Sequence, residues 1–454
     1  MTTACRIACA VRILLCQKMI AVVLLGIVGL WSVGYANASD SWPEFLGPSG
    51  LGQIDSADAA KIPLSWSEEE NVTWKVPVPG RGWSSPVIAS GQIWMTTASE
   101  DGKTRSALCY DLKSGKKIHD ILLFKVDQVE KCNRTNSFAS PTPVIYGEYV
   151  FVHFGAVGTV CLERKSGREI WRRNDFTWLP FEGFGSSPTV YAVKNEEKNA
   201  KKKAVKDILI LTCDGGDKQF MIALDCKTGK TVWKTDRSVD FHDDPLIIRK
   251  GFCSSTVLTF EGRDYLLSEA SRAAYAYEPE TGREIWRFEF PCQAQTCTMR
   301  PRLWKDRVIV NSCYQKAVMF AIDMRSKGLV REDQIFWENG QNIAACPTPV
   351  IVGDYLYGPD GKGTIYCISL ETGKAVWKKR IGGNHWASPL HGNGKVFFFD
   401  DKGKTTVVAA DPKECRVLAS NRLDNGCMGT PAVVDGAMII RTKTDLYRIE
   451  TSNR

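Results

Sequence analysis

Thr281-Gly282-Arg283-Glu284-Ile285-Trp286 decides the fold, because the chain repeats it. Close copies end at Trp171 (SGREIW), Trp233 (TGKTVW) and Trp377 (TGKAVW). A looser copy, SGKKIH, ends at His119, and a stretched one, SKGLVREDQIFW, ends at Trp337. Self-similarity every few tens of residues, with strand-like flanks, marks a stacked repeat in which each unit buries its face against the next. Glycine after Ser or Thr supplies a positive φ at the turn. Acidic residues four positions earlier (Asp111, Glu163, Asp225, Glu278) are placed to tie that turn to backbone N–H groups. The tryptophan offers a large ring to bury between neighbouring units and an indole N–H to satisfy.

Working outward, each copy opens on a Ser/Thr-Pro entry such as Ser85-Pro86 or Ser187-Pro188. A short strand, a turn such as Ala89-Ser90-Gly91-Gln92 and two further apolar strands lead to the signature hairpin. The entries fall at Pro86, Pro141 or Pro143, Pro188, Thr256, Pro301, Pro347 or Pro349, Pro389 and Pro431. The last copy stops before any outer strand, and Glu70-Asn71-Val72-Thr73-Trp74-Lys75 looks like that strand displaced to the other end of the chain. Pairing the two closes a ring and removes exposed edges. The expectation is an all-β fold: an eight-bladed β-propeller of four-stranded antiparallel blades, the last closed by an N-terminal strand. Seven blades is the alternative, since the fifth and seventh copies are degenerate.

The first residues read as a targeting device. Arg6, Arg12 and Lys18 precede an apolar run from Met19 to Tyr35 and then Ala36-Asn37-Ala38. The expected organisation is a signal peptide over 1–38, a lead-in over 39–64 and the propeller over 65–454, in a periplasmic or secreted protein cleaved near Ala38. Removing those three basic residues takes the formal charge from +8 to +5, which gives no argument for nucleic acid. Contact with a membrane is expected only indirectly, and a monomer is expected. The basic run 194–207 reads as a solvated hairpin tip.

The 16 cysteines fall to 13 without Cys5, Cys9 and Cys16. Cys109, Cys161 and Cys367 each lie six residues before a turn glycine, at a position that is Ala223 or Ala276 in other copies. Alternation with alanine marks a small buried core site rather than a bridge.

The spacing G-x-V-x-x-L-D/E-x-x-T/S-G-x-x-x-W resembles the pyrroloquinoline quinone (PQQ)-like repeat of eight-bladed propellers. That family holds quinoprotein alcohol dehydrogenases and the outer-membrane assembly lipoprotein BamB. The opening Trp42-Pro43-Glu44-Phe45-Leu46-Gly47-Pro48 also looks like exported members from planctomycete-type bacteria. For the enzymes the resemblance implies PQQ over the central channel beside calcium, often with adjacent disulfide-bonded cysteines or a C-x-x-C-H haem site. This chain has neither motif. Nor does it have a phosphate-cradling loop, a nucleophile elbow or zinc spacing. His242-Asp243-Asp244 reads as a polar connection, Asp214-Gly215-Gly216-Asp217 as a hairpin turn, and His119 and His153 as packed or surface histidines. The aromatic stretch Trp178–Phe184 is read either as a grip on a ligand or as packing against the disc.

What remains is the channel mouth, where links between blades gather. The third residue before each entry gives a ring: Trp83, Phe138, Gly185, Cys253, Thr298, Ala344, Trp386 and Met428, with Arg81, Asn136, Arg300, Asn384 and His385 beside it. The ligand-binding candidates are Arg81, Trp83, Asn136, Phe138, Arg300, His385 and Trp386; the competing reading is that these side chains fill the channel. No catalytic residue, metal or cofactor is expected. The functional expectation is a non-catalytic exported scaffold, similar in architecture to BamB, with a cell-envelope protein partner. The alternative is a PQQ-dependent dehydrogenase with calcium and a divergent site.

Overall fold

Eight antiparallel sheets run in sequence order around one ring in the computed structural model, which describes residues 40–193, 207–291, 297–312, 317–341, 343 and 347–452. The signal-peptide reading of 1–38, ring position Ala344 and all but the last residue of the basic run 194–207 lie outside the described residues. In blade 1 the strands are Val87–Ala89, Gln92–Ala98, Thr104–Asp111 and Lys117–Lys125, from the inner edge outward. Pro143 and Pro349 are the true entries of the second and sixth blades, directly before Val144 and Val350. Blade 8 takes its three inner strands from Ala432–Val434, Ala437–Arg441 and Asp445–Ile449, and its outer strand is Val72–Pro77, paired antiparallel to the last of these. The ring is therefore closed by the N-terminal strand, and eight blades rather than seven are present.

The repeated phrase performs one task at successive blade interfaces, with local variation. The turn glycine of one blade lies flat on the tryptophan of the blade before it. A Cβ on Gly229 would stand 2.7 Å from Trp171, one on Gly282 2.5 Å from Trp233, and one on Gly373 2.5 Å from Trp337. All three glycines hold positive φ. Each indole N–H then donates across the interface: Trp171 to the Cys226 carbonyl, Trp233 to Pro279 and Trp337 to Leu370, at 2.8–3.0 Å. Trp74 of the closing strand does the same to Leu112 at 3.2 Å, which joins the end of the ring to its beginning. In blade 1 His119 takes the tryptophan's place under Gly167.

The turn acids divide by length. The Asp111 carboxylate accepts the Ser114 N–H and Asp225 accepts those of Lys227 and Thr228, as expected. Glu163 and Glu278, one methylene longer, take the hydroxyls of Ser166 and Thr281 and a nearby arginine instead.

The core sits as slabs between blades: Leu267, Ala276 and Trp286 of blade 4, for instance, pack on Val308, Val310, Phe320 and Ile322 of blade 5. Cys109, Cys161 and Cys367 are buried in such slabs, and every described cysteine is a free thiol.

Candidate functional site

The lead-in enters the channel. Ser41–Trp42 pairs antiparallel with the innermost strand of blade 1, opposite Ala89 and Ile88, so it lies on the axial side of that sheet. The Pro43 carbonyl accepts the Ile145 N–H of blade 2, and Glu44 and Phe45 reach Arg300 of blade 5. The chain turns back through Gly50, whose carbonyl accepts from Arg302, and descends past Ile351 and His391 of blades 6 and 7. A short helix, Ser56–Lys61, follows, and Asp58 accepts the Gly436 N–H at a blade 8 turn. Backbone groups of this loop find partners on inner strands around the ring, as buried backbone requires.

Above the loop lies a cavity of about 300 Å³. Phe45 is the lead-in residue that reaches it, and Trp83, Phe252, Trp386 and Met428 give it apolar wall. Asn133, Thr135, Asn136, Ser140 and Glu182 form a polar side. Seven hydroxyls from one repeat position also line it, each directly before the entry proline or, in blade 4, before Ser255, which stands in the proline's place: Ser85, Thr142, Ser187, Ser254, Thr348, Ser388 and Thr430. They are also a belt. The Ser85 N–H donates to the Thr142 hydroxyl, Thr142 to Ser187, Ser187 to Ser254, Thr348 to Ser388, Ser388 to Thr430, and Thr430 back to Ser85, all at 2.8–3.0 Å.

The belt has one irregular joint. Blade 5 carries Arg300 where the others carry a hydroxyl. Its backbone N–H continues the belt to Thr348, and its Nε reaches back to the Ser255 carbonyl at 3.0 Å. Its remaining donors hold the lead-in: Nη1 to the Phe45 carbonyl at 2.8 Å and Nη2 to the Glu44 carboxylate at 3.1 Å. Arg300 is only 2% exposed, so it is a buried anchor beneath the cavity rather than a lining residue.

Of the other ring candidates, Trp83, Asn136 and Trp386 line the cavity together with Gly185, Thr298 and Met428. Arg81 stands behind Trp83, its guanidinium 5.1 Å from the indole centroid and bonded to the carbonyls of Arg134 and Asn136. Phe138 turns against Arg105 and Gly102. His385 is buried and pinned by the Phe399 and Gly382 carbonyls, and Asn384 bonds Asp401. Cys253 is buried, with its sulfur accepting the Glu269 N–H. Sequence reasoning missed the belt, Phe45 and Phe252. The Ser/Thr before each entry proline was the available signal for the belt.

Charge in the lining is confined to Glu182, which is bonded by Lys250 and, at 3.2 Å, by Asn133. Burial pushes its carboxyl up, but the Lys250 ammonium outweighs that and holds it below the usual range. Among the described residues no cluster of His, Cys, Asp or Glu has the makings of a metal site. A cofactor with three carboxylates and a companion calcium ion asks for cations and free carboxylates, and the described lining presents neither.

Two long inter-blade loops flank the mouth. Both rest on the Asp214–Asp217 turn: Gly216 donates to the Leu179 carbonyl, a Cβ on Gly215 would strike Trp178, and one on Gly216 would strike Phe181 and the Leu246 carbonyl. The paired glycines are there for close approach. Trp178 is packed with His153, Phe184 and Phe220, so the aromatic stretch grips the disc. Its neighbour Leu179 is 43% exposed, beside Leu246 at 41% and Ile247 at 46%. His242 and Asp243 are exposed in the second loop, and Asp244 pairs with Arg272.

Comparison with known proteins agrees with this architecture. The family model described as outer membrane protein assembly factor BamB matches residues 64–175, 217–330 and 326–445. No curated protein matches the chain. Among solved structures, a quinohemoprotein alcohol dehydrogenase from Comamonas testosteroni aligns with TM-score 0.65 at 13% identity, over 92% of this chain and 82% of that one. A europium-containing methanol dehydrogenase gives 0.60 at 12% identity, over 88% and 89%. BamB from Moraxella catarrhalis gives 0.54 at 11% identity, over 83% of this chain and 99% of its own. At these identities the likeness is one of fold.

Proposed function

The chain belongs to the family described as outer membrane protein assembly factor BamB, and from that premise we propose that it is a non-catalytic, exported binding propeller that docks a protein partner over the channel mouth. One observation carries this: the mouth is uncharged apart from a neutralised Glu182, and exposed Leu179, Leu246 and Ile247 flank it on rigidly seated loops. Exposed apolar side chains gathered beside a concave site mark protein contact. The cavity gathers no unpaired acid, base or nucleophile among the described residues, so it supports binding rather than turnover. A dehydrogenase reading rests on the enzyme structures alone, which share the fold at 12–13% identity.

The test is a photo-crosslinking residue placed at Trp386, with Val376 on the outer rim as the control position, in intact envelopes of the producing cell. A discrete crosslinked protein at Trp386 and none at Val376 is the expected result. A quinone absorbance with a raised melting temperature on titrating PQQ and calcium into the purified protein would overturn the non-catalytic reading.

A further inference from the structure

The belt hydroxyls have their donors unused. Each oxygen already accepts a backbone N–H, and none of the seven O–H groups donates to an acceptor among the described residues. A hydroxyl is one donor with two lone pairs, so each belt oxygen is already satisfied as an acceptor and keeps one further lone pair, while its O–H is the group left with no partner among the described residues. The polar wall offers little to complement a ligand's own donors. The Asn133 side-chain oxygen is taken by Thr135, that of Asn136 by Ser137 and Ser140, and the Glu182 carboxylate by Asn133 and Lys250. The site therefore favours a ligand rich in acceptors, poor in donors, uncharged, and with flat apolar surface for Trp83, Trp386 and Phe252.

We propose that the mouth is a receptor for a proline-rich, uncharged peptide turn, the belt hydroxyls donating to its carbonyl oxygens and Trp83 and Trp386 packing on its pyrrolidine rings. Proline is the residue whose amide accepts but does not donate. Aromatic-lined sites that take Pro-rich segments work by the same complementarity. A sugar brings a donor with every hydroxyl, and beyond the belt's second lone pairs the wall has few acceptors to meet them. Size agrees. A cavity near 300 Å³ admits a turn of a few residues but not a helix about 10–12 Å across. The channel already holds one proline-flanked turn, the lead-in segment Pro43–Pro48, whose Pro43 and Phe45 carbonyls accept from the Ile145 N–H and from Arg300.

The inference rests on the mouth being the docking face. Its test is calorimetric and tryptophan-fluorescence titration of the purified full-length protein with acetyl-hexaproline amide. Controls are the same-length alanine-glycine peptide and maltotriose. Binding of the proline peptide alone is expected, weakened about tenfold by Trp386→Ala and less by Trp386→Phe, with melting curves confirming that both variants fold. Val376→Ser, on the outer rim, should leave it unchanged. Equal binding of the alanine-glycine peptide, or Trp386-dependent binding of maltotriose, overturns the proline assignment. If no peptide binds while Trp386 still crosslinks to an envelope protein, the proline assignment falls and the docking face stands; if neither occurs, both fall.

Discussion

Gly282→Ala measures what the blade-to-blade tryptophan contact contributes. Gly282 holds φ +68°, and an added Cβ would lie 2.5 Å from Trp233 Cε3 and 2.6 Å from Thr235 Oγ1. The left-handed conformation alone costs an L-residue about 1–2 kcal/mol. The methyl cannot be accommodated without moving the indole, whose N–H donates to the Pro279 carbonyl at 3.0 Å. Losing that bond at a buried interface adds about 1–3 kcal/mol. The total is about 2–5 kcal/mol. Gly262→Ala is the matched control: φ is +76°, and nothing lies within 4 Å of the added Cβ, so only the conformational part, about 1–2 kcal/mol, remains. Gly328→Ala should resemble the control, since nothing lies near its Cβ either. The assay is urea unfolding, with midpoints compared at a common slope. If Gly282→Ala and Gly262→Ala agree within about 0.5 kcal/mol, the scatter of neutral surface changes, the tryptophan seats are not the blade lock.

The other expectations follow from named partners. Trp233→Phe should cost about 1–2 kcal/mol more than Trp286→Phe in the same assay, because the Trp233 N–H has an acceptor while Trp286 Nε1 has none among the described residues. Glu44→Ala leaves the buried Arg300 guanidinium without its carboxylate, which should destabilise by about 2–4 kcal/mol and open the lead-in to limited proteolysis; Glu44→Ala with Arg300→Met should recover part of that. Burial pushes His153 down to about 4 from 6.5. The unfolded chain thus takes up a proton near pH 6.5 that the folded chain refuses until about pH 4, and stability falls as pH falls across that window. At about 1.4 kcal/mol per unit the loss reaches at most about 3 kcal/mol. Carboxylates held low, such as Asp111 by Ser114 and Glu278 by Arg283, act only below about pH 4.5. His153→Gln should therefore reduce the slope of a stability profile between pH 6.5 and 4.5, where His391, also held low by burial, acts in the same direction; an unchanged slope would assign it elsewhere.

What was legible in the sequence was what the repeat writes locally. Turn glycine, tryptophan and entry proline sit at fixed offsets within one blade, so the blades could be counted and the missing outer strand matched to residues near Trp74. The same register found Trp83, Trp386, Thr298 and Met428, because the third residue before each entry faces the axis wherever the blade is regular. The lead-in's path was not legible. Its partners lie far along the chain, as His391 does from Gln53 across 338 positions, and such contacts leave no periodic trace. Arg300 and His385 were placed at the mouth by proximity alone. One step along an extended chain changes which side a residue faces, which puts His385 into the disc while Trp386 looks into the cavity.

Specificity in such a ring has to come from departures from the repeat. Seven identical hydroxyls around an axis would hold a ligand in any of several rotations, and donor strength alone would not choose among them. Two asymmetries remove that freedom. Arg300 replaces the eighth hydroxyl and fixes where Glu44 and Phe45 sit, so the bottom of the cavity is not symmetric. Around the wall, blades 2 and 3 contribute Asn133, Asn136, Ser140 and Glu182, while the links into blades 1, 7 and 8 contribute Trp83, Trp386 and Met428. A turn entering this mouth has its apolar rings drawn to one side and its solvated edge to the other. Leu179, Leu246 and Ile247 stand outside the polar side, on the loops between blades 2 and 3 and between 3 and 4. A partner seated on them therefore delivers its turn across the polar wall towards the tryptophans. Crosslinks from Trp386 and from Ile247 should then map to neighbouring positions on one partner surface, and crosslinks to two different proteins would break that link between the mouth and the apolar loops.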